Sequence, residues 1–353
     1  MNLKLDNIDA YGILNGDKRN LIEKNVKLLN NHHYKNSKEY KKFLNSIKYN
    51  INNIKIEKFP FLPTSIFKKM DLLSVSKDEI IKTISSSGTA GNSVSKIHLD
   101  KNNSKNQIYV LNKLVTNFIG KKRMPMLIVD FESGKNSKNG INARTAAING
   151  FSIFGKVHTY LINHKKEFDI TTIKDFIQKF GDAPFLIFGF TSLVYENLIA
   201  NDQISNAKLD FKNGILLHGG GWKKMEDKKV SNKKFRQLLK KKINLNKVIN
   251  YYGLAEQTGT IFLECEFCQN FIVSSFSEVI IRDKNFNVKK NGEKGLIQLM
   301  SLLPTSYPGH NILTEDLGMI SDNKNCKCAK LGKTFKVFGR VKKSELKGCS
   351  DTL

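Results

Sequence analysis

The apolar positions of this chain follow two patterns. Compact apolar runs at 126–131, 185–190, 214–218 and 248–252 read as strands, the last ending in Gly253. Helical periodicity lies among them, at 173–180 and 192–200. Ahead of them a stripe of Ile108, Leu111, Leu114, Val115 and Phe118 predicts another helix. Strands alternating with helices predict an α/β fold with a largely parallel sheet. From Phe271 onward the pattern changes. Short strands at 278–282, 296–300 and 335–338 are separated by Asn, Gly and Pro turns with no long helix, which predicts a smaller β-rich subdomain.

Residues 1–58 are polar and rich in Lys and Asn, with a helical patch at 38–47, and read as a helical lead-in. Phe59-Pro60-Phe61-Leu62-Pro63 is extended, because each proline biases its predecessor away from helix. The expected division is a lead-in at 1–58, an α/β core at 59–270, a β-rich subdomain at 271–340 and a C-terminal tail at 341–353.

Composition narrows the function classes. With 353 residues, 40% hydrophobic and 25% charged, the chain can bury a sizeable core and is not globally disordered. No apolar run reaches about 18 residues, so no transmembrane helix is expected. The first 19 residues carry charges and no apolar stretch of a signal peptide, so a cytoplasmic protein is expected. The formal charge of +26 invites a nucleic-acid partner, but of 58 basic residues six are Arg and 58 − 6 = 52 are Lys. Nucleic-acid modules lean on Arg for bidentate contacts, and runs such as 223–242 read as solvated helix faces, so no nucleic acid is expected. Five cysteines, an odd number without a secretory signal, argue against a disulfide framework.

Five short stretches could carry chemistry. Ser85-Ser86-Ser87-Gly88-Thr89-Ala90-Gly91 has the small residues and hydroxyls that let backbone amides converge on a phosphate, with Lys96 nearby. It is not a P-loop, and alone it is as readily a plain loop. His218-Gly219-Gly220-Gly221-Trp222 follows an apolar run, and open α/β sheets bind ligands at the carboxyl ends of strands. A β-turn is the plainer reading. Tyr252-Gly253-Leu254-Ala255-Glu256 also follows a strand; its ring can stack on adenine and its carboxylate can hold Mg²⁺. Thr314-Glu315-Asp316 offers an acid to ribose hydroxyls, and Gly339-Arg340 a guanidinium to phosphate or ribose.

The order of these stretches resembles the adenylate-forming superfamily of acyl-CoA synthetases and firefly luciferase. A nearer resemblance is to the LuxE acyl-protein synthetases. It is carried by Phe59 to Lys68 (FPFLPTSIFK), Ser85 to Gly91, Leu217 to Lys223 (LHGGGWK), Tyr252 to Glu266 (YGLAEQTGTIFLECE), Leu302 to Gly318 (LLPTSYPGHNILTEDLG) and Phe338 to Thr352 (FGRVKKSELKGCSDT). The resemblance implies the large N-terminal domain of adenylate-forming enzymes. It implies that ATP and Mg²⁺ activate a carboxylic acid, of the fatty type, as acyl-AMP. Ser86, Ser87, Gly88, Thr89 and Gly91 would hold phosphates. His218, Gly219, Gly220, Tyr252 and Gly253 would line the nucleotide, Glu256 would carry Mg²⁺, Asp316 the ribose, and Arg340 the phosphate or ribose. The chain stops 353 − 340 = 13 residues after Arg340, so the mobile C-terminal domain with its catalytic lysine is expected to be absent.

The resemblance also makes Cys349 the acyl acceptor, which then serves a partner such as a fatty-acid reductase. A thiolate attacks a mixed anhydride readily, and Lys347 would favour the thiolate. An unreactive tail cysteine is the plain alternative. Cys265-x-x-Cys268 and Cys326-x-Cys328 together suit a tetrahedral zinc; free thiols or a redox dithiol are the alternatives. Direct transfer to CoA by an acyl- or aryl-CoA ligase, and a non-catalytic acyl- or nucleotide-binding subunit, are the rival functions. His310 in Tyr307-Pro308-Gly309-His310 reads as a loop residue near the ribose acid.

Overall fold

The computed structural model describes residues 3–13, 15–51, 55–86, 94–132, 141–163, 165, 167–321, 326–328 and 332–341. Ser87, Gly88, Thr89, Gly91, Lys347 and Cys349 lie outside the described residues. The chain forms two compact units. One comprises 1–115, 139–143 and 253–353, the other 116–138 and 144–252.

The second unit is a parallel sheet in the order Lys247–Gly253, Gly214–Gly219, Phe185–Phe190, Met124–Phe131, Gly155–Ile162. Phe185-Leu-Ile-Phe is wholly buried because both faces of this strand are covered. Phe185, Ile187, Leu216 and Val248 meet Ile173 and Phe176 of helix Ile170–Phe180 and Phe235, Leu239 and Ile243 of helix Asn232–Ile243 in one core. Asp169 caps the first of these helices by accepting from the Thr171 amide at 2.9 Å, and Ser231 caps the second. On the opposite face Phe151 of helix Ala143–Ser152 stacks on Phe188 at 4.7 Å and leans on Tyr251 at 4.9 Å. The expected helix at 192–200 begins as Thr191–Val194 and continues as a π-turn, Tyr195–Ile199.

The first unit holds an antiparallel sheet in the order Phe271–Ile272, Thr334–Arg340, Asn311–Ser321, Gly295–Ser301, Ser277–Arg282. Leu62–Pro63 pairs with Asn311–Ser321 in parallel, as the extended Phe-Pro segment allows. Residues of the lead-in pack on this sheet. Helix Asn15–Asn36 buries Ile22, Val26 and Leu29 at helical spacing. Its Lys18 lies 3.9 Å from the buried Glu278, which also takes Lys333 at 2.6 Å. Burial works to raise the Glu278 carboxyl, but the two ammonium groups outweigh it and hold it below its usual range. A hairpin of Ile80–Ser85 and Lys96–Asp100, joined by Ile141–Asn142, completes the unit.

Two expectations are corrected. In helix Lys101–Ile119 the buried stripe is Asn103, Gln107, Val110, Leu111, Leu114 and Val115, whereas Ile108 is exposed. The helix turns its amide side chains inward because Asn103 holds the backbone at 305–306. His310 does lie in a loop, the bend before the strand Asn311–Ser321, but it is buried in the core. Its Nε2 bonds Asn30 Oδ1 at 2.8 Å, and its ring stacks on His33 at 4.7 Å. Among the described residues no helix is long and apolar enough to cross a membrane.

Candidate active site

In the first unit Glu256 sits in a single helical turn, Ala255–Gln257, directly after the strand Lys247–Gly253. The turn is held from three sides. The Gln257 amide donates to the carbonyls of Leu299 at 3.0 Å and Gly309 at 2.9 Å. Thr260 Oγ1 meets Ser301 Oγ, and the Tyr307 hydroxyl donates to the Glu256 carbonyl at 3.0 Å. The Glu256 backbone is therefore fixed, and the residue is 8% exposed.

The Ser/Gly/Thr stretch lies in sequence between the two strands of the hairpin, Ile80–Ser85 and Lys96–Asp100. At its root the Ser86 amide donates to the Ser95 carbonyl, and the Ser95 amide donates to Ser86 Oγ, both at 2.9 Å. Ser95 is fully buried, and its hydroxyl donates to Glu256 Oε1 at 2.6 Å. One side chain thus ties the base of the loop to the carboxylate, across 161 residues of sequence. A second pin lies beyond the hairpin. Asp100 caps helix Lys101–Ile119 by accepting from the Asn103 amide at 2.8 Å. Asn103 Oδ1 in turn accepts from the Thr305 amide at 3.1 Å and from Ser306 Oγ at 2.9 Å. Sequence reasoning missed Ser95 and Asn103. The signals were faint: Ser95 is the last serine of the stretch, and Asp100 is an acid immediately before a helical run.

Asp316 and Arg340 stand opposite each other on neighbouring antiparallel strands. The guanidinium Nε is 3.9 Å from Asp316 Oδ1, and the side chains are 76% and 14% exposed, Arg340 and Asp316 respectively. The Asp316 amide donates to Thr314 Oγ1 at 3.1 Å, and Thr314 Oγ1 donates to the Ile297 carbonyl at 2.9 Å. The acid is thus set at the sheet surface by the threonine two residues before it.

In the second unit the strand ends carry the other expected residues. Gly219 is required: a Cβ there would lie 2.5 Å from the Tyr251 ring. Gly220 turns the chain with φ +78°, a conformation natural to glycine. Tyr251 is buried against Phe151 and Phe188, and burial raises its phenol; Tyr252, pointing to the other face, is half-buried. His218 also faces the opposite side from Gly219. It is 2% exposed, with its ring on Phe235, and burial lowers it to about 3. Thr191 Oγ1 donates to the Gly219 carbonyl at 3.1 Å, which leaves it to accept from His218 Nδ1 at 3.0 Å. His218 braces the glycine turn from behind.

Sequence reasoning also missed Asp130 and Arg144. Strand Met124–Phe131 has its successor Gly155–Ile162 on one side and the later strands on the other, so its carboxyl end is a topological switch point. The buried Asp130 sits there in a bidentate pair with Arg144, whose Nε–Oδ2 distance is 2.6 Å. Arg144 also lies over the Phe131 ring at 4.9 Å. The signal was a single carboxylate closing an apolar run.

The cysteine pairs converge in the first unit. Cys265 Sγ is 3.5 Å from Cys326 Sγ, which is 3.3 Å from Cys328 Sγ. Cys268 joins them: burial pushes its thiol up to about 12, aided by Cys265 and Cys326. At Cys326 burial also works upward, but the Cys328 amide and the neighbouring thiols outweigh it and bring the thiol down to about 7.

Comparison with known proteins sets this geometry in a family. A profile of the acyl-protein synthetases, LuxE, matches residues 6–353. The long-chain-fatty-acid–luciferin-component ligase of Aliivibrio fischeri is 24% identical over 334 residues, which is 90% of this chain and 84% of that one. Its counterpart from Vibrio harveyi is 24% identical over 344 residues, 95% and 87% of the two chains. Among solved structures, 2-hydroxyisobutyryl-CoA ligase in an open conformation with 2-HIB-AMP and CoA superposes with a TM-score of 0.74 at 12% identity, over 97% of this chain and 82% of that one. The postadenylation form of the same ligase gives 0.73 over 94% and 69%. At that identity the likeness shows the fold, which is that of adenylate-forming ligases. The profile match takes in every stretch described above, and this chain belongs to the LuxE family of acyl-protein synthetases.

Proposed function

We propose that this enzyme activates a long-chain fatty acid with ATP, loads the acyl group on Cys349 and delivers it to a partner acyl reductase. A carboxylate oxygen attacks the α-phosphorus of ATP, the bond to the β-phosphate oxygen breaks, and acyl-AMP and pyrophosphate result. The Cys349 thiolate then attacks the acyl carbonyl, AMP leaves, and the thiol proton passes to solvent. The observation that best supports this reading is the Ser95–Glu256 hydrogen bond, which couples the root of the hydroxyl-rich loop to the carboxylate.

Glu256 fits Mg²⁺: it is a hard oxygen donor on a fixed turn, with Oε1 oriented by Ser95. One or two carboxylates, with substrate phosphates and waters, are the usual set for this ion. Bound there, Mg²⁺ would neutralise charge developing on the phosphates. Ser86, Ser87, Gly88, Thr89 and Gly91 hold phosphates in this reading. Gly219, Gly220, Tyr252 and Gly253 line the adenine, with His218 and Thr191 steadying the turn. Asp316 takes the ribose hydroxyls and Arg340 a phosphate or ribose oxygen. Zinc at the four clustered cysteines is a further cofactor, apart from the chemistry.

The test is ATP–pyrophosphate exchange across a series of carboxylic acids. Long-chain fatty acids should support exchange, and exchange with no acid would overturn the reading. Cys349→Ser should separate the two halves: acyl-AMP still forms, but no hydroxylamine-sensitive acyl group accumulates on the protein. A thioester product with CoA from that variant would favour the CoA-ligase alternative.

A further inference from the structure

The strand that carries Arg340 begins beside the cysteine cluster. Thr334–Arg340 pairs with Phe271–Ile272 through Phe271↔Phe335 and Ile272↔Thr334. Cys265 and Cys268 lie just ahead of Phe271, and Cys326 and Cys328 just ahead of Thr334. The two cysteine pairs therefore sit at the entrances of two adjoining strands.

The local backbone is built for metal ligation. The Cys265 amide donates to the Asn270 carbonyl at 2.8 Å, and the Gln269 amide donates to the Cys265 carbonyl at 2.9 Å. Gln269 adopts φ 55°, the left-handed conformation that closes the turn after Cys268. The Asn270 amide bonds the Cys268 sulfur, and the Cys328 amide bonds the Cys326 sulfur. Amide donors of this kind steady thiolate ligands. Zinc–sulfur bonds of about 2.3 Å in a tetrahedron put the sulfurs about 3.8 Å apart. The observed separations of 3.3 and 3.5 Å approach that, and are far from the roughly 2.05 Å of a disulfide. Cys265, Cys326 and Cys328 already hold their sulfurs within 4.8 Å of one another.

We propose that Cys265, Cys268, Cys326 and Cys328 bind one zinc ion as a clasp, and that the clasp holds the Thr334–Arg340 strand, and with it Arg340, in register on the sheet. This deepens the zinc reading given above and rests on it, but it is independent of acyl activation. Binding converts four thiols to thiolates and releases up to four protons to solvent, with no oxidant or reductant.

The full chain is purified without chelators under reducing conditions, and metal content is measured. About one zinc per chain is expected, and five thiols should fall to one that reacts rapidly with maleimide. Protein that neither carries zinc nor takes up added zinc overturns the site, whatever its pyrophosphate exchange. The clasp is tested by hydrogen exchange before and after stripping the metal from the wild type with an organomercurial and chelator. Peptides covering 262–272 and 332–340 should exchange at least tenfold faster in the stripped form, and recover on re-addition of zinc. Peptides covering 185–190 should not change. Zinc bound at unit stoichiometry with no change in 332–340 would overturn the clasp and leave the metal site standing. Cys328→Ser should reproduce the stripped state, and because stripping uses wild-type protein, a misfolded variant does not decide the question.

Discussion

The two units solve burial in different ways. The main core of the second is aliphatic and aromatic, from Phe185 and Leu216 to Phe235 and Ile243, and its buried polar groups, Asp130 with Arg144 and Thr191 with His218, stand at the strand ends. The first encloses polar groups: the Lys18–Glu278–Lys333 cluster, the stacked His33 and His310, and Asn103, which holds the 305–306 backbone. An apolar core specifies shape through volume. A polar one specifies which loop meets which helix, since each buried donor needs its own acceptor and a misplaced one is costly. The unit that fixes Glu256 and Asp316 is the one whose interior is tied by directional bonds between distant segments.

The contrast breaks most sharply under substitution. Glu278→Gln leaves Lys18, itself 4% exposed, without its counter-charge, and about 3–5 kcal/mol of stability should be lost. Adding Lys18→Met to Glu278→Leu should recover most of it, because the one charge left behind, Lys333, has a side chain 34% exposed and can reach water. Leu216→Ala should cost about 2–5 kcal/mol through its cavity, with no such rescue by a neighbouring truncation. Urea denaturation of the set checks this; a double variant as weak as Glu278→Gln would erase the distinction.

Next in size is a change to chemistry without a change in fold. Glu256→Gln keeps an oxygen to accept from Ser95 but loses its charge, so pyrophosphate exchange should fall about 10²–10³-fold while the melting temperature stays within a few degrees. Undiminished exchange would remove Glu256 from the metal role.

Acid should then discriminate between the units. Burial lowers His310 to about 3 and His33 well below its ordinary value, and His218 in the second unit to about 3. The unfolded chain, with histidines near 6.5, takes up these protons first as pH falls. Stability is full above about pH 6.5 and declines toward pH 3, by about 1.4 kcal/mol per pH unit for each histidine. At pH 5 His33 and His310, joined by the half-buried His32, which burial also lowers, weigh on the first unit and His218 on the second. Amides near 299–312 should lose protection before those of 185–190, and equal loss would show that the stacked pair does not govern the first unit. The smallest effect is Ser95→Ala, which frees the Glu256 side chain and should slow exchange about tenfold, or about 1.4 kcal/mol.

The same contrast explains how much could be read in advance. The strand at 185–190 was legible to the residue, because a run buried on both faces admits nothing polar. The strand Gly155–Ile162 was not, since it lies at a sheet edge and mixes Lys156, His158 and Thr159 with its apolar residues. Nor was Asn311–Ser321, where buried Asn311 and Thr314 look like loop residues until their partners, the Pro60 and Ile297 carbonyls, are in place. In the candidate site, Glu256, Asp316 and Arg340 were visible because each belongs to a short local stretch. Ser95, Asn103, Asp130 and Arg144 act on partners that only folding supplies. The four cysteines were visible as pairs, but spacing could not show that both pairs enter neighbouring strands.

The discontinuity of the first unit has a consequence in time. Apart from 139–143, residues 116–252 belong to the second unit, and the first is completed only by residues 253–353. Asn30 and His310, bonded in the finished protein, are 280 residues apart. At a ribosomal pace of about 5–20 residues per second, Asn30 waits roughly 15–55 s for its partner to be synthesised. Over that interval the helix Asn15–Asn36, with its stripe of Ile22, Val26 and Leu29, has only early-made residues, such as the helix Lys38–Ser46, to pack against. Surrounding that narrow stripe with Lys and Asn keeps an early-made segment from adhering to other nascent chains while the enclosed unit folds ahead of it.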